Sequence, residues 1–572
     1  MKLTSYLLAA ATSLVLLLPP APASAQPLSF DRVLACGNGD GPNGWGPTAQ
    51  AFDAQGNQYV AGTFNGTIQL GNTLLKAVQT PANRIRPVDT FLAKLDAAGN
   101  YVWAIQFGDN QASAVEALAV DGQGNLYVAG AFESFGLRLG GAAPVVYNSS
   151  AFSEAFVAQF SAATGQLRWA RRAGGTGRDY GTKLALNAAG EVYLVCQTSS
   201  PTVDFGATTL ANAYTSTNGT SVLAKLSAGG MWQWARPVGL GENYAVSMQL
   251  DAQGGIYLAG LFYNALAFGT VSLTSPPIAG TRNSYGADMF VAKTSDAGGW
   301  TWAVQGDATT HQNFVEGVSM TLDGAGYLYV AGSYSYQAVR LGNIILPNLS
   351  NHEPYPNPQV PPFPNDYYAD AFVSRMNAAT GTWEWATRTG GLYDDFAGNP
   401  LVGSQGRLYV SLSTGTSTSG TPQLALVDNT NGAWLATQPL PTLGFIGLDR
   451  QDRLHLAGSI GITPTTFGTL TLQPAGPTQG TGYLARFGAG PLAARTALGA
   501  AGLQVWPNPA GGGAVWVQGP AAGQAVWVLD VLGRVVAQGR MPAAGPLALP
   551  LALPAGVYVV QAEGQARRLV IE

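Results

Sequence analysis

Residues 121–132 read DGQGNLYVAGAF, and close copies of this stretch recur along most of the chain. Asp121-Gly-Gln-Gly124 has the chemistry of a tight turn: Asp accepts hydrogen bonds from backbone two residues on, and Gly supplies a positive φ. Asn125–Phe132 then reads as a strand, rich in aromatic and aliphatic residues and bounded by turn signals. Tyr127 and Val128 point to opposite faces, so both faces are apolar, which suits a strand sandwiched between neighbouring sheets. Ala129 and Gly130 are small enough to let the next sheet come close.

The copies are Asp53–Phe64 (DAQGNQYVAGTF), Asn187–Thr198 (NAAGEVYLVCQT), Asp251–Phe262 (DAQGGIYLAGLF) and Asp323–Tyr334 (DGAGYLYVAGSY), with worn versions at Gly403–Ser413 and Asp449–Ile460. A second signature follows each after a variable insert: [DE]-x-F-[VL]-A-K-L, a Gly turn and a strand ending in Trp-Ala, as in Asp89–Leu95, Gly99 and Trp103-Ala104. With the strand ahead of each Asp turn, a unit has four strands, a to d. Repeats of this length and strand content mark a β-propeller. The seventh unit keeps Gly482–Phe487 but stops before its d strand, while Leu28–Gly37 is an orphan strand ahead of the first unit. The expected fold is therefore all-β: a seven-bladed β-propeller closed by the N-terminal strand, which removes exposed sheet edges.

The chain has 572 residues, too many for one ordinary domain unless it is a repeat ring. Charged residues make up 10%, against a usual value of about 25%, and net charge is −4, so there is no basic footprint for nucleic acid. The two cysteines, Cys36 and Cys196, fall in non-adjacent blades of this topology. A disulfide needs Cα atoms within about 7 Å, so two free, buried thiols are expected.

Along the chain, Met1–Ala25 reads as a signal peptide, with Lys2, the apolar run Tyr6–Leu18 and the small-residue site Ala23-Ser24-Ala25. Residues 26–487 form the propeller, 488–502 a small-residue linker and 503–572 a small β-domain. The b–c and d–a connections share one face and are the long ones; inserts 65–88, 133–153, 197–220, 263–287 and 335–369 project there. Loops on a rigid scaffold concentrate binding residues, so function is expected on that face.

Strand a is preceded by an acidic or amide residue and an aromatic at Asp179-Tyr180, Asn243-Tyr244, Asn313-Phe314 and Asp395-Phe396, with Trp45 nearby in the first unit. Around a ring these residues line the channel rim, either as an aromatic platform for sugar or peptide or as wedges between blades. Carboxylates Asp179, Glu242, Glu316, Asp394 and Asp395 share that face. Two carboxyls about 5–9 Å apart could hydrolyse a glycosidic bond, whereas scattered carboxylates are solvated loop charges. His311, His352 and His455 have no ligand spacing, and His455 replaces the strand-b Tyr of the seventh unit. No HExxH, paired CxxC, Walker or GxSxG motif occurs. Asn38-Gly-Asp40 with Asn43 lacks the closing Glu of a calcium loop. No catalytic residue, metal or cofactor is assigned.

The D-x-x-G-x-x-Y-[VL]-A-G and DxFVAKL…G…WA units resemble the bacterial SBBP-type β-propeller repeat, over about four-fifths of the chain, a family with a shared fold and no shared reaction. The tail resembles the type A sorting domain of type IX secretion (Por) cargo in Bacteroidetes. The matching residues are Trp506-Pro507-Asn508-Pro509, Asp530–Val535 with Gly533, Leu553–Tyr558 with Gly556, and Arg568–Ile571. That resemblance implies a small Ig-like β-sandwich, Sec export through the periplasm, the type IX machinery as a partner through Pro507, Asn508, Pro509, Gly533, Gly556 and Tyr558, and a secreted or cell-surface location. The expected function is a monomeric, non-enzymatic binding or adhesion propeller for a glycan or surface protein. An extracellular polysaccharide- or protein-degrading enzyme using loop carboxylates is the alternative, and an outer-membrane barrel ranks last because the strands are short and apolar on both sides.

Overall fold

The computed structural model describes residues 28–36, 38–39, 46–77, 89–108, 113–133, 136–140, 146–147, 152–215, 219–275, 287–308, 315–335, 337–348, 368–391, 393–415, 420–476, 480–488, 504–506, 513–518, 523–529, 534–542, 547–551, 553–554, 556–562 and 565–571. These fall into two compact units, one within Pro27–Gly490 and one within Pro491–Glu572. Both are all-β.

The first unit is a succession of antiparallel sheets of the kind that form propeller blades. The first sheet orders its strands a to d as Pro47–Phe52, Gln58–Phe64, Asp89–Leu95 and Tyr101–Phe107. The second is Ser113–Val120, Asn125–Phe132, Glu154–Ser161 and Leu167–Ala173; the third is Asp179–Leu186, Val192–Thr198, Thr220–Leu226 and Trp232–Pro237. Then come Asn243–Leu250, Gly255–Tyr263, Ala287–Ser295 and Trp300–Ala308 in the fourth, and Val315–Leu322, Tyr327–Tyr334, Asp370–Asn377 and Thr382–Thr389 in the fifth. Phe396–Val402, Leu408–Gly415, Gly420–Val427 and Trp434–Pro439 form the sixth. In the next sheet Gly444–Leu448, Leu454–Ile460 and Thr481–Phe487 are joined at the outer edge by Phe30–Ala35, with Val33 opposite Ala485 and Leu34 opposite Leu484.

The repeat's turn chemistry is visible atom by atom. Asp121 Oδ1 accepts from the backbone N–H of Gln123 and Asn125, and Oδ2 accepts from the Tyr127 hydroxyl at 3.1 Å. Asp53–Tyr59, Asp251–Tyr257 and Asp323–Tyr329 repeat this at 2.9, 2.8 and 3.0 Å. Where Gly403 replaces the Asp, Asp452 of the following sheet reaches across to accept from the Ser404 N–H at 3.0 Å, itself in a positive-φ conformation.

Strand b is buried on both faces throughout Asn125–Phe132. Apolar clusters lie between successive sheets: Leu126, Val128 and Phe160 of the second pack on Tyr59 and Leu92 of the first, and Val60 and Phe91 of the first pack with Ala457 and Leu484. Each such side chain contributes about 1.5–3 kcal/mol relative to exposure. The next sheet does come close at Gly130, where a Cβ on Gly181 would lie 3.1 Å from the Gly130 carbonyl oxygen, and Gly130 has a second reason besides. A Cβ there would lie 1.9 Å from the Ala114 carbonyl oxygen, in the neighbouring strand of the same sheet. Strand a carries a β-bulge at that point, and bulges bend a strand into its partner. In the third sheet the glycine changes sides: Cys196 takes the strand-b position and Gly181 stands opposite. Both thiols, Cys36 and Cys196, are buried and free, as the topology predicts.

Within Pro491–Glu572, one sheet pairs Gln504–Trp506, Gly513–Gln518 and Leu547–Leu551. A second orders Val535–Arg540, Ala525–Leu529, Gly556–Ala562 and Gln565–Ile571. Val515, Val517 and Leu549 of the first share one apolar cluster with Val526, Val528, Tyr558, Val560 and Leu569 of the second. Leu547–Leu551 is a strand in the Ala/Pro-rich stretch where the sequence shows none: its one proline, Pro550, is on a strand at the edge of the sheet.

Candidate functional site

The described parts of the long b–c inserts are not free loops. They are β-hairpins: Thr67–Leu70 with Thr73–Lys76, Thr202–Phe205 with Thr208–Ala211, Ala265–Phe268 with Val271–Thr274, Ala338–Leu341 with Ile344–Pro347, and Thr465–Phe467 with Leu470–Leu472. The signal was present as a further repeat, TIQLGNT, TVDFGAT, ALAFGTV, AVRLGNI and TTFGTLT. Its glycine turns at a positive φ, as at Gly206 (67°) and Gly342 (60°). Several hairpins also bond to the end of the preceding sheet's outer strand: Asp204 pairs with Gly174, Ala267 with Leu240, and Val339–Leu341 with Gly306–Ala308. Those residues therefore cover sheet edges, which withdraws their own backbone from ligand binding.

The polar half of each rim pair among the described residues is also committed to the chain itself. Asp179 is buried; its carboxylate accepts from the Gly175 N–H and the Ser200 hydroxyl, both at 2.8 Å, and from the Thr198 hydroxyl. Burial pushes its carboxyl above the ordinary value, against those bonds. Asn243 is buried and its amide donates to Thr220 Oγ1, the Val238 carbonyl and the Gly241 carbonyl. Asp395 is buried and accepts from the Gly415 N–H at 2.9 Å; burial raises its carboxyl too. Asp394 accepts from the Ala369 N–H at 2.8 Å. These groups latch the entry of strand a to neighbouring connections, so the platform reading loses its polar members among the described residues. Glu242 is half-buried beside Tyr263, whose hydroxyl it helps burial to raise.

The aromatic half is different. Tyr244 is 40% exposed and Phe396 39% exposed, while Tyr180 is half-buried. Trp45, Asn313, Phe314, His311, His352, Asp40, Asn43, the signal segment, Pro507, Asn508, Pro509 and Gly533 lie outside the described residues, as does the Glu316 side chain. Gly556 opens its strand, and Tyr558 is buried with its hydroxyl donating to the Pro554 carbonyl at 2.9 Å. His455 is buried, its Nε2 3.1 Å from Asp449 Oδ2 in the place of the usual Tyr.

A cavity of about 560 Å³ lies between strands a. Its walls come from Thr48–Phe52, Glu116–Val120, Lys183-Leu184, Asn399, Leu401, Phe445–Leu448 and Arg450. Sequence reading missed Glu116 and Lys183. Glu116 is the unpaired residue of the strand-a bulge in the second sheet, and bulges re-aim side chains. Lys183 pairs with Val195, the position that in other sheets sets Ala49, Ala117, Ser247 and Ser319 opposite Ala61, Ala129, Ala259 and Ala331. A lysine where four other copies have Ala or Ser, and the seventh sheet sets Phe445 opposite Ala457, was the available signal. Burial lowers the Lys183 ammonium below its usual value, and Glu116 partly restores it. Burial raises the Tyr244 hydroxyl, with Glu116 and then Tyr180 adding to it. Glu116, Tyr180, Lys183 and Tyr244 therefore form one electrostatic neighbourhood. Among the described residues no group of three or more His, Cys, Asp or Glu side chains is placed to hold a metal ion.

No protein-family model and no curated protein matches the chain. Among solved structures it is similar to a quinohemoprotein alcohol dehydrogenase from Comamonas testosteroni, at 12% identity and a TM-score of 0.40 over 81% of this chain and 76% of that one. A protein of unknown function from Dyadobacter fermentans gives 8% identity and a TM-score of 0.38 over 81% and 99%. A Synechocystis apocarotenoid oxygenase variant gives 10% and 0.34 over 73% and 94%.

Proposed function

We propose that this chain is a non-enzymatic binding or adhesion protein, built as a seven-bladed propeller closed by its N-terminal strand and carrying its ligand at the mouth of the central cavity. The pairing of Phe30–Ala35 with Thr481–Phe487 supports the ring. The observation that carries the function is the split within the rim pairs. Tyr244 and Phe396 stay exposed, while Asn243 and Asp395 beside them, and the carboxylate of Asp179, are buried and hydrogen-bonded within the fold. Exposed aromatics on a rigid frame are binding surface, whereas hydrolysis needs carboxylates that water and substrate can reach. The sorting-domain resemblance extends the proposal: type IX export, a small Ig-like C-terminal sandwich, and a secreted or cell-surface destination.

The test is capture of glycans and cell-surface extracts by the mature chain, compared with Tyr244→Ala and Phe396→Ala. Loss of capture in the variants at an unchanged melting temperature supports the reading. No retention on broad panels, or full retention by both variants, overturns it.

A further inference from the structure

The cavity wall carries an imbalance that the fold does not explain. Lys183 and Arg450 are its cations and Glu116 its one described carboxylate, in a chain whose net charge is −4. Among the described residues, Lys183 forms no hydrogen bond or ion pair; Glu116 influences it without touching it. Elsewhere in this protein a strand cation is tied down. Lys225 meets Glu191 at 2.6 Å and Asp296 at 2.7 Å, and Arg172 meets Glu154 at 3.3 Å. A partly buried lysine with no bonded counter-charge loses hydration for only a weak return from Glu116. The sister positions Ala49, Ala117, Ser247 and Ser319 show that the fold does not need a cation there.

The wall also offers apolar side chains, Phe52, Leu118, Leu184, Leu401 and Phe445, beside polar Thr48, Gln50 and Asn399. A volume of about 560 Å³ falls in the range of small-ligand sites, about 300–1,000 Å³. A concave, low-dielectric wall with excess positive charge concentrates anions.

We propose that this cavity binds a small organic carboxylate, its carboxyl group on the Lys183 ammonium and its apolar or ring-shaped body against Phe445, Leu118 and Leu184. Two sources share that chemistry: the uronic-acid end of an acidic glycan, and a free organic acid. The proposal rests on the binding reading above and names the ligand class of the same site. Glu116, thrown inward by its bulge, sets selectivity: it repels dianions and accepts from a ligand hydroxyl.

The experiment is calorimetric titration of the mature full-length chain at neutral pH with glucuronate, phenylacetate and the neutral methyl ester of each. At least one acid should bind, and its ester about tenfold more weakly or worse, as expected for loss of a charge-assisted bond. Lys183→Ser, which copies Ser247 and Ser319 and so keeps the fold, should lose a similar factor, and Glu116→Gln should tighten binding. Glucuronate alone binding assigns the glycan source; phenylacetate alone assigns the free acid. An acid and its ester binding equally, an unaffected Lys183→Ser, or no binding of either acid overturns the proposal. If surface extracts are still captured in that last case, only the ligand class fails; if they are not, the binding reading fails with it.

Discussion

Arg32 Nη1 donates to the carbonyl of Ala97 at 3.2 Å, joining the N-terminal strand to the c–d turn of the first sheet. Trp103 Nε1 makes the corresponding bond to Ala162 at 3.3 Å, Trp169 to Ala228 at 3.2 Å and Trp385 to Asn429 at 3.2 Å. In each case an outer strand grips the turn of the following sheet, and a turn glycine leaves room: a Cβ on Gly165 would press on the Trp103 ring, and one on Gly99 on the Arg32 guanidinium. Arg32→Ala should lower the urea midpoint by an amount corresponding to about 1.5–3 kcal/mol, the usual range for a bond from a charged group. A midpoint equal to wild type would mean that Arg32 does not hold this seam.

The Asp121 turn predicts a graded series. Asp121→Ala removes acceptors for two backbone N–H groups and the Tyr127 hydroxyl, and should cost about 1–3 kcal/mol. Asp121→Asn should cost less, because Asn187 holds the Ala189 and Glu191 N–H groups in the third copy. Chemical denaturation of the two variants checks the order; equal losses would show that the carboxylate charge, not the turn geometry, is what matters.

His455 should make stability depend on pH. Burial lowers its imidazole below the ordinary value of about 6.5, and the Arg32 and Arg453 charges act in the same direction against the Asp449 carboxylate. A group with a lowered folded pKa adds stability that is complete above its unfolded pKa and is lost as pH falls. The melting temperature should therefore decline as pH drops from about 7 to about 5. His455→Tyr, which restores the residue found at Tyr59, Tyr127 and Tyr257, should flatten that part of the profile. A profile unchanged by the substitution would assign the decline to other groups.

The thiols should be inert in the native state. Burial pushes the Cys36 thiol up to about 12 and raises Cys196 as well. The thiolate is the reactive form, so a thiol reagent at neutral pH should label neither cysteine until denaturant is added, and then both. Labelling of the folded chain would contradict their burial.

The repeat made much of the architecture readable. Its Asp–Gly turns, its doubly apolar strand and the orphan segment Leu28–Gly37 specify which strands pair, because turn chemistry and period-two burial act over a few residues and repeat along the chain. The buried, free state of Cys36 and Cys196 followed from that pairing alone. Three-dimensional packing decided what each polar residue does. Asp179, Asn243 and Asp395 have the composition of a binding rim, yet their partners come from connections some 20 residues away, such as Ser200 and Gly415, and those partners consume them. The inserts likewise cover sheet edges, which only the neighbouring sheet reveals. Glu116 and Lys183 come to line one cavity from two sheets because a bulge turns one toward it and the other replaces a small residue. The local code sets the strands; long-range hydrogen bonding and desolvation determine which side chains remain free to meet a ligand.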